Sequence, residues 1–219
     1  SVSLGGIKAS GHLRVSAPGG FGRQHVAPLV HDFVREHPEV TVSLDLSDRV
    51  VDLLNENMDC AVRIGVLPDS SLVGVKLADN QRLVVATPTY LQRHGRPQHP
   101  SDLANHNCLN LVSSGAPSGW LFTIQGEATP IRVSGSLACN DGSSILDWAL
   151  NDAGLAWRSL WEVQQHLRSG KLVTVLDDFI APPNAIYAVF PQRKHLPLRV
   201  RLWIDFLKHR YSIDSYWNT

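Results

Sequence analysis

The hydrophobic positions of the first third of the chain switch repeatedly between two periods. Leu13-Arg14-Val15-Ser16 reads as a strand that runs into a glycine-rich turn, Pro18-Gly19-Gly20-Phe21-Gly22. Val26, Leu29, Val30, Phe33 and Val34 then recur at helical spacing, and Pro38 ends that helix. Val40, Val42, Leu44 and Leu46 alternate with polar residues, the pattern of a half-buried strand. Asp48 stands where it would cap a short helix carrying Val50, Val51, Leu53 and Leu54. Cys60-Ala61-Val62-Arg63-Ile64 reads as a further strand, closed by Gly65. Strand, helix, strand, helix, strand predicts right-handed crossovers and a parallel sheet.

A second unit is predicted to begin near residue 83. Leu83-Val84-Val85-Ala86 reads as a strand, and Thr87-Pro88 as an N-cap followed by proline at the first helical position. Short strands are expected at 109–112 and 121–124, on either side of SSGAPSGW, which reads as a loop. Leu137-Ala138-Cys139 leads into Asn140-Asp141-Gly142 and a helix carrying Ile145, Leu146, Trp148, Ala149 and Leu150, which Gly154 closes. A strand at 155–157, a helix over roughly 161–168 and strands at 172–175 and 186–190 follow, the last returning to the first unit. A helix with Val200, Trp203, Ile204 and Leu207 completes the pattern.

Positions suited to ligands therefore fall at strand-to-helix junctions: 16–22, 47–48, 87–88 and 140–142. In open parallel sheets, ligands bind beyond the carboxyl ends of strands. The glycine turn is neither a Walker loop, because no Gly-Lys-Ser/Thr follows, nor a GxGxxG fingerprint. Free backbone N–H groups at a helix start favour an anion; the alternative is a tight turn without a ligand. Ser16 either donates to a ligand or ties down the turn. Arg63 is a charge inside an apolar strand and needs a partner: a structural carboxylate such as Asp59, or an acidic ligand. Asp48, Thr87 and Asn140-Asp141 read first as caps and turns, and second as ligand contacts.

Composition narrows the classes. Twenty Lys and Arg balance twenty Asp and Glu, so no basic surplus exists to neutralise phosphates. No apolar stretch approaches the roughly 18 residues of a membrane helix, and SVSLGGIKAS lacks the regions of a signal peptide. Cys60, Cys108 and Cys139 sit in apolar runs without CxxC spacing, which predicts buried free thiols in a reducing cytoplasm. His25, His31 and His37 repeat every six residues, about 240° apart on a helix, so they share no face. Neither they nor His94, His99 and His106 form a metal site, and no cofactor is expected. No GxSxG elbow or activated cysteine argues for catalysis.

Taken together, "GHLRVSAPGGFGR…LVHDFVREHPEVTVSLDLSDRVVDLLNENMDCAVRIG", "RLVVATPTYLQRHGRPQHPSDLANHNCL", "NDGSSILDWALNDAGLAW" and "AIYAVFPQRKHLPLRVRLWIDFLKH" resemble the effector-binding domain of LysR-type transcriptional regulators. The resemblance is colinear over roughly residues 10–210. It implies an α/β, type 2 periplasmic-binding-protein-like fold: two Rossmann-like subdomains, 1–85 with 187–219 and 86–186, joined by two crossover strands around a cleft. Carried over by position, the effector-binding lining is Ser16, Ala17, Pro18, Phe21, Asp48, Arg63 and Thr87, faced by Asn140 and Asp141. It further implies a small-molecule effector, anionic or aromatic, a homodimer or homotetramer, and no enzymatic activity. DNA contact would fall to an amino-terminal winged helix-turn-helix absent from this chain, with SVSLGGIKAS as the tail of a linker helix. One departure stands out: Trp157-Arg158-Ser159 occupies a place where many members carry an apolar Leu-Leu-Pro run, which sets a charge near the second subdomain. A transporter's solute-binding protein and a porphobilinogen-polymerising deaminase share the fold. The first would need export, and the second a cysteine-linked cofactor and an arginine-lined cleft.

Overall fold

A computed structural model describes residues 8–65, 71–113 and 119–218. Residues 1–7, which hold most of the expected linker tail, and 114–118, which hold most of the SSGAPSGW loop, lie outside them. The elements run β1 (Gly11–Ala17), α1 (Gly19–His25), α2 (Ala27–Glu36), β2 (Val40–Leu46), β3 (Cys60–Ile64), β4 (Leu72–Ala78) and β5 (Arg82–Ala86). Next come α3 (Pro88–His94), β6 (Asn110–Leu111), β7 (Trp120–Ile124), β8 (Glu127–Ile131), β9 (Ala138–Cys139) and α4 (Gly142–Leu150). The chain finishes with β10 (Ala156–Ser159), α5 (Leu160–Ser169), β11 (Val173–Val175), β12 (Ile186–Pro191), α6 (Leu198–Ser212) and a 3-10 segment, Asp214–Asn218.

Two compact units result: Ser1–Asp79 with Asn184–Thr219, and Asn80–Pro183. The expected first boundary, between 85 and 86, moves to 79/80 because all of β5 pairs with β10 and β11 of the second unit. The second boundary moves to 183/184, ahead of β12.

The first unit holds a five-stranded sheet ordered β2-β1-β3-β12-β4. β1 runs parallel to β2 and β3, as the alternating pattern predicts, whereas β12 is antiparallel to both β3 and β4. Helix α2 buries Leu29 and Phe33, and α6 buries Val200, Trp203, Ile204, Leu207 and Tyr211. Phe33 meets Trp203 edge-on, with ring centroids 5.4 Å apart, so the two helices share one core. Two expectations change here. The glycine-rich stretch is itself helical, and Gly22 permits this because a Cβ there would collide with the Leu46 side chain. Residues 48–57 form turns instead of a helix: Val51 and Leu53 are buried while Val50 and Leu54 stay 76% and 59% exposed.

The second unit is built on β5, buried on both faces. Val84 and Ala86 join a core with Tyr90, Leu103, Trp120 and Phe122, while Leu83 and Val85 join Ile145, Ala149, Val163 and Leu172. Alternate side chains of a strand point to opposite faces, so one apolar run serves both cores. The three-stranded sheet is β10-β5-β11, with β5 antiparallel to each neighbour. β7 and β8 form a hairpin whose two turn residues, Gln125 and Gly126, have φ of 53° and 78°, the conformation a two-residue hairpin loop requires.

Candidate functional site

The first unit gathers six of the expected residues near the carboxyl ends of β1 and β3. Ser16, the penultimate residue of β1, is 4% exposed, and no hydrogen bond involves its hydroxyl among the described residues. It pairs in register with Ala61 of β3, and Arg63 follows two residues later on the same face. The Arg63 guanidinium donates to the Val51 carbonyl at 2.7 Å. The structural partner expected for it, Asp59, instead accepts from the backbone N–H of Arg14 at 2.8 Å. Among the described residues, no carboxylate forms an ion pair with Arg63.

Ala17 is buried, and its carbonyl accepts from the Ser47 N–H at 3.0 Å. Pro18 precedes α1, and its carbonyl accepts the Gly22 N–H at 2.6 Å. Asp48 accepts from the Gly19 N–H at 3.0 Å, so its carboxylate already occupies the start of α1 where the sequence suggested a ligand's anion. Phe21 is 1% exposed and packs within the protein against His25, tilted, and Tyr211, edge-on, at 5.2 and 6.0 Å between centroids. Burial holds the His25 imidazole down at a pKa of about 4.

The second unit holds the remaining three. Thr87 is a buried cap: its hydroxyl accepts from the Tyr90 N–H at 3.1 Å and donates to Asp152 at 2.6 Å. Asp141 caps α4, accepting from the backbone N–H and the hydroxyl of Ser144 at 3.1 and 2.9 Å. Asn140 beside it is exposed. The Arg158 charge is neutralised locally, since both its Nε and its Nη2 donate to Glu162 at 2.6 Å. Gly142 makes room for that guanidinium, which a Cβ there would strike. Sequence reading overlooked Arg82, which lies 4.6 Å over the Trp157 ring; burial and the nearby Arg158 charge lower its pKa. The signal was an arginine opposite a tryptophan, but their pairing depends on the β5–β10 register.

All three cysteines are free, and burial pushes the Cys60 and Cys108 thiols up to about 12, far from a reactive thiolate. Cys139 is half-buried and accepts from the Asp141 N–H, unlike the fully buried thiol expected. Among the described residues, no group of His, Cys, Asp and Glu is arranged to hold a metal ion, and no helix is long and apolar enough to cross a membrane.

Residues 7–212 match the model of the LysR substrate binding domain family. The HTH-type transcriptional regulator DmlR of Escherichia coli (strain K12) is 36% identical over 209 residues, 95% of this chain and 67% of that protein. The HTH-type transcriptional activator TtdR of the same strain is 35% identical over 202 residues, 91% of this chain and 64% of that protein. This chain spans about two thirds of the length of these curated relatives. Among solved structures, CrgA, a LysR-type transcriptional regulator from Neisseria meningitidis, aligns with a TM-score of 0.80 at 28% identity, covering 94% of this chain and 70% of its own. The regulatory domain of AphB in Vibrio vulnificus aligns with a TM-score of 0.72 at 26% identity, covering 92% of this chain and 98% of its own. The fold is the type 2 periplasmic-binding-protein-like α/β fold of these domains, and the relatives are regulators rather than enzymes.

Proposed function

The chain belongs to the LysR substrate binding domain family, and from that premise we propose that it is the effector-sensing domain of a transcriptional regulator whose effector is a small organic anion. The observation that carries the anion is the placing of Ser16 and Arg63. Among the described residues, Ser16, itself only 4% exposed, has no hydrogen-bond partner for its hydroxyl, and Arg63 has no carboxylate partner; the two share one face of adjacent strands, near their carboxyl ends. A carboxylate would satisfy both, accepting from the hydroxyl and from the guanidinium N–H groups that Val51 leaves unused. Ala17 and Pro18 border Ser16 and are proposed as neighbouring contacts. Asn140 and Asp141 remain proposed contacts from the second unit, with Asp141 also serving as a cap. Phe21 is occupied with protein contacts, which favours an anionic over an aromatic effector.

Such a domain does no chemistry. An effector that binds one of its conformations more tightly shifts the population toward that conformation. The proposed setting is a dimeric or tetrameric cytoplasmic regulator in which DNA contact belongs to another part of the protein. The test is a thermal-shift screen of small mono- and dicarboxylates followed by calorimetric titration. Arg63→Ala removes a charged hydrogen bond of about 1.5–3 kcal/mol, so affinity should fall roughly tenfold to hundredfold. Ser16→Ala should cost about 1 kcal/mol, roughly fivefold. Unaltered affinity in Arg63→Ala with a markedly lower melting temperature would make Arg63 a structural residue and overturn the reading.

A further inference from the structure

Helix α1 follows Ser16, Ala17 and Pro18 directly, yet it has little means of holding itself together. It is seven residues long, three of them are glycine, and Pro18 at its N-cap position has no side chain able to cap it. Glycine is the poorest helix former after proline, and helices this short are marginal without tertiary support. Asp48 pins its first residue through the Gly19 N–H. Its last residue, His25, is pinned from the other end of the chain.

The Tyr211 hydroxyl donates to the His25 carbonyl at 2.5 Å, and the His25 Nδ1 lies 2.9 Å from the Tyr216 hydroxyl. The Trp217 indole N–H donates to the Tyr211 carbonyl at 2.9 Å, and its ring sits 5.1 Å from the His25 ring. Tyr216 and Trp217 meet edge-on at 5.0 Å, so the 3-10 segment closes over His25 as one aromatic unit. Phe21 joins the same group through His25 and Tyr211. This segment lies beyond residue 212, where the match to the family model ends.

We propose that Asp214–Asn218 is a strap that positions α1, with Tyr216 and Trp217 as its positioning residues acting through His25 and Tyr211. The link from α1 to effector binding rests on the placing of the effector at Ser16; the hold on α1 does not. Burial of His25 and of the Tyr216 phenol, whose pKa is raised to about 12, agrees with a closed cluster.

The experiment is hydrogen exchange by mass spectrometry on the 219-residue chain, on a chain ending at Ile213, and on Trp217→Ala and Tyr216→Phe. The shortened chain and Trp217→Ala should lose at least tenfold protection in α1, and Tyr216→Phe several-fold, with β1 and β2 unchanged. Unchanged α1 protection in all three overturns the strap. So does an even loss across the first unit, which would make the segment a general stabiliser. A second arm titrates the same variants with the tightest carboxylate from the screen, where several-fold weaker binding is expected. Failure of every carboxylate to bind the parent chain would remove the effector reading while the exchange result still decides the strap.

Discussion

A single imidazole illustrates how burial becomes a pH response. His25 titrates at about 4 in the folded protein against 6.5 for the free side chain, because burial disfavours its charged form. The unfolded chain therefore binds a proton at this site that the folded chain resists. The stability it confers is complete above pH 6.5 and is lost as the pH falls from there toward 4. Tyr211, Tyr216 and Trp217 pack around the ring, with Phe21 from its own helix. Melting temperatures measured between pH 7.5 and pH 5 should fall more steeply for the parent than for His25→Asn, whose amide keeps a polar group near the place of Nδ1. Equal slopes would show that other groups, such as the half-buried His106 and His166, whose pKa values burial also lowers, carry the acid sensitivity.

At the scale of elements, the best-defined electrostatic feature is the Arg158–Glu162 pair, which ties the end of β10 to the first turn of α5. Both side chains are nearly buried, 11% and 7% exposed, so removing one leaves the other charged and poorly solvated. Glu162→Ala should cost about 3 kcal/mol, which for a domain of this size lowers the melting temperature by roughly 6–12 °C. A thermal melt showing less than about 2 °C would place the pair among weak surface bridges. The pair also marks how far sequence alone reaches. Spacing of four residues on a helix start is readable, and so are β1, β2, β3, α2, α4 and α6, because each keeps one period over several residues. β4 escaped notice even though Leu72, Val73, Val75 and Leu77 are apolar, since Gly74 and Lys76 interrupt the run. The reach of Asp48 to Gly19 and the stacking of Arg82 on Trp157 were not readable, because both depend on which strands become neighbours. Ser16 was legible as a strand-end hydroxyl; that it lacks a partner among the described residues required the packing around it.

For the whole molecule, the governing quantities are surface charge and association. The family fold and the relatives' role in transcription support the proposed homodimer or homotetramer, and sedimentation equilibrium at high micromolar concentration should give at least twice the 24.1 kDa chain mass. A mass that stays at one chain would reject it. Association does not by itself create affinity for DNA. Non-specific binding is driven by release of counterions from phosphates, and its strength follows the number of phosphates that lysine and arginine neutralise. Here twenty cationic side chains are offset by twenty carboxylates, so a dimer of this chain gains no net charge over the monomer. Several cations are further engaged internally, Arg158 by Glu162, Arg49 by Glu56 and Arg210 by Asp32. In a gel-shift titration at about 50 mM salt, a concentration at which a protein making several phosphate contacts binds strongly, this chain should retard neither promoter DNA nor unrelated DNA. A sequence-selective shift would mean that the domain itself reads DNA, and the division of labour between sensing and DNA contact would have to be abandoned.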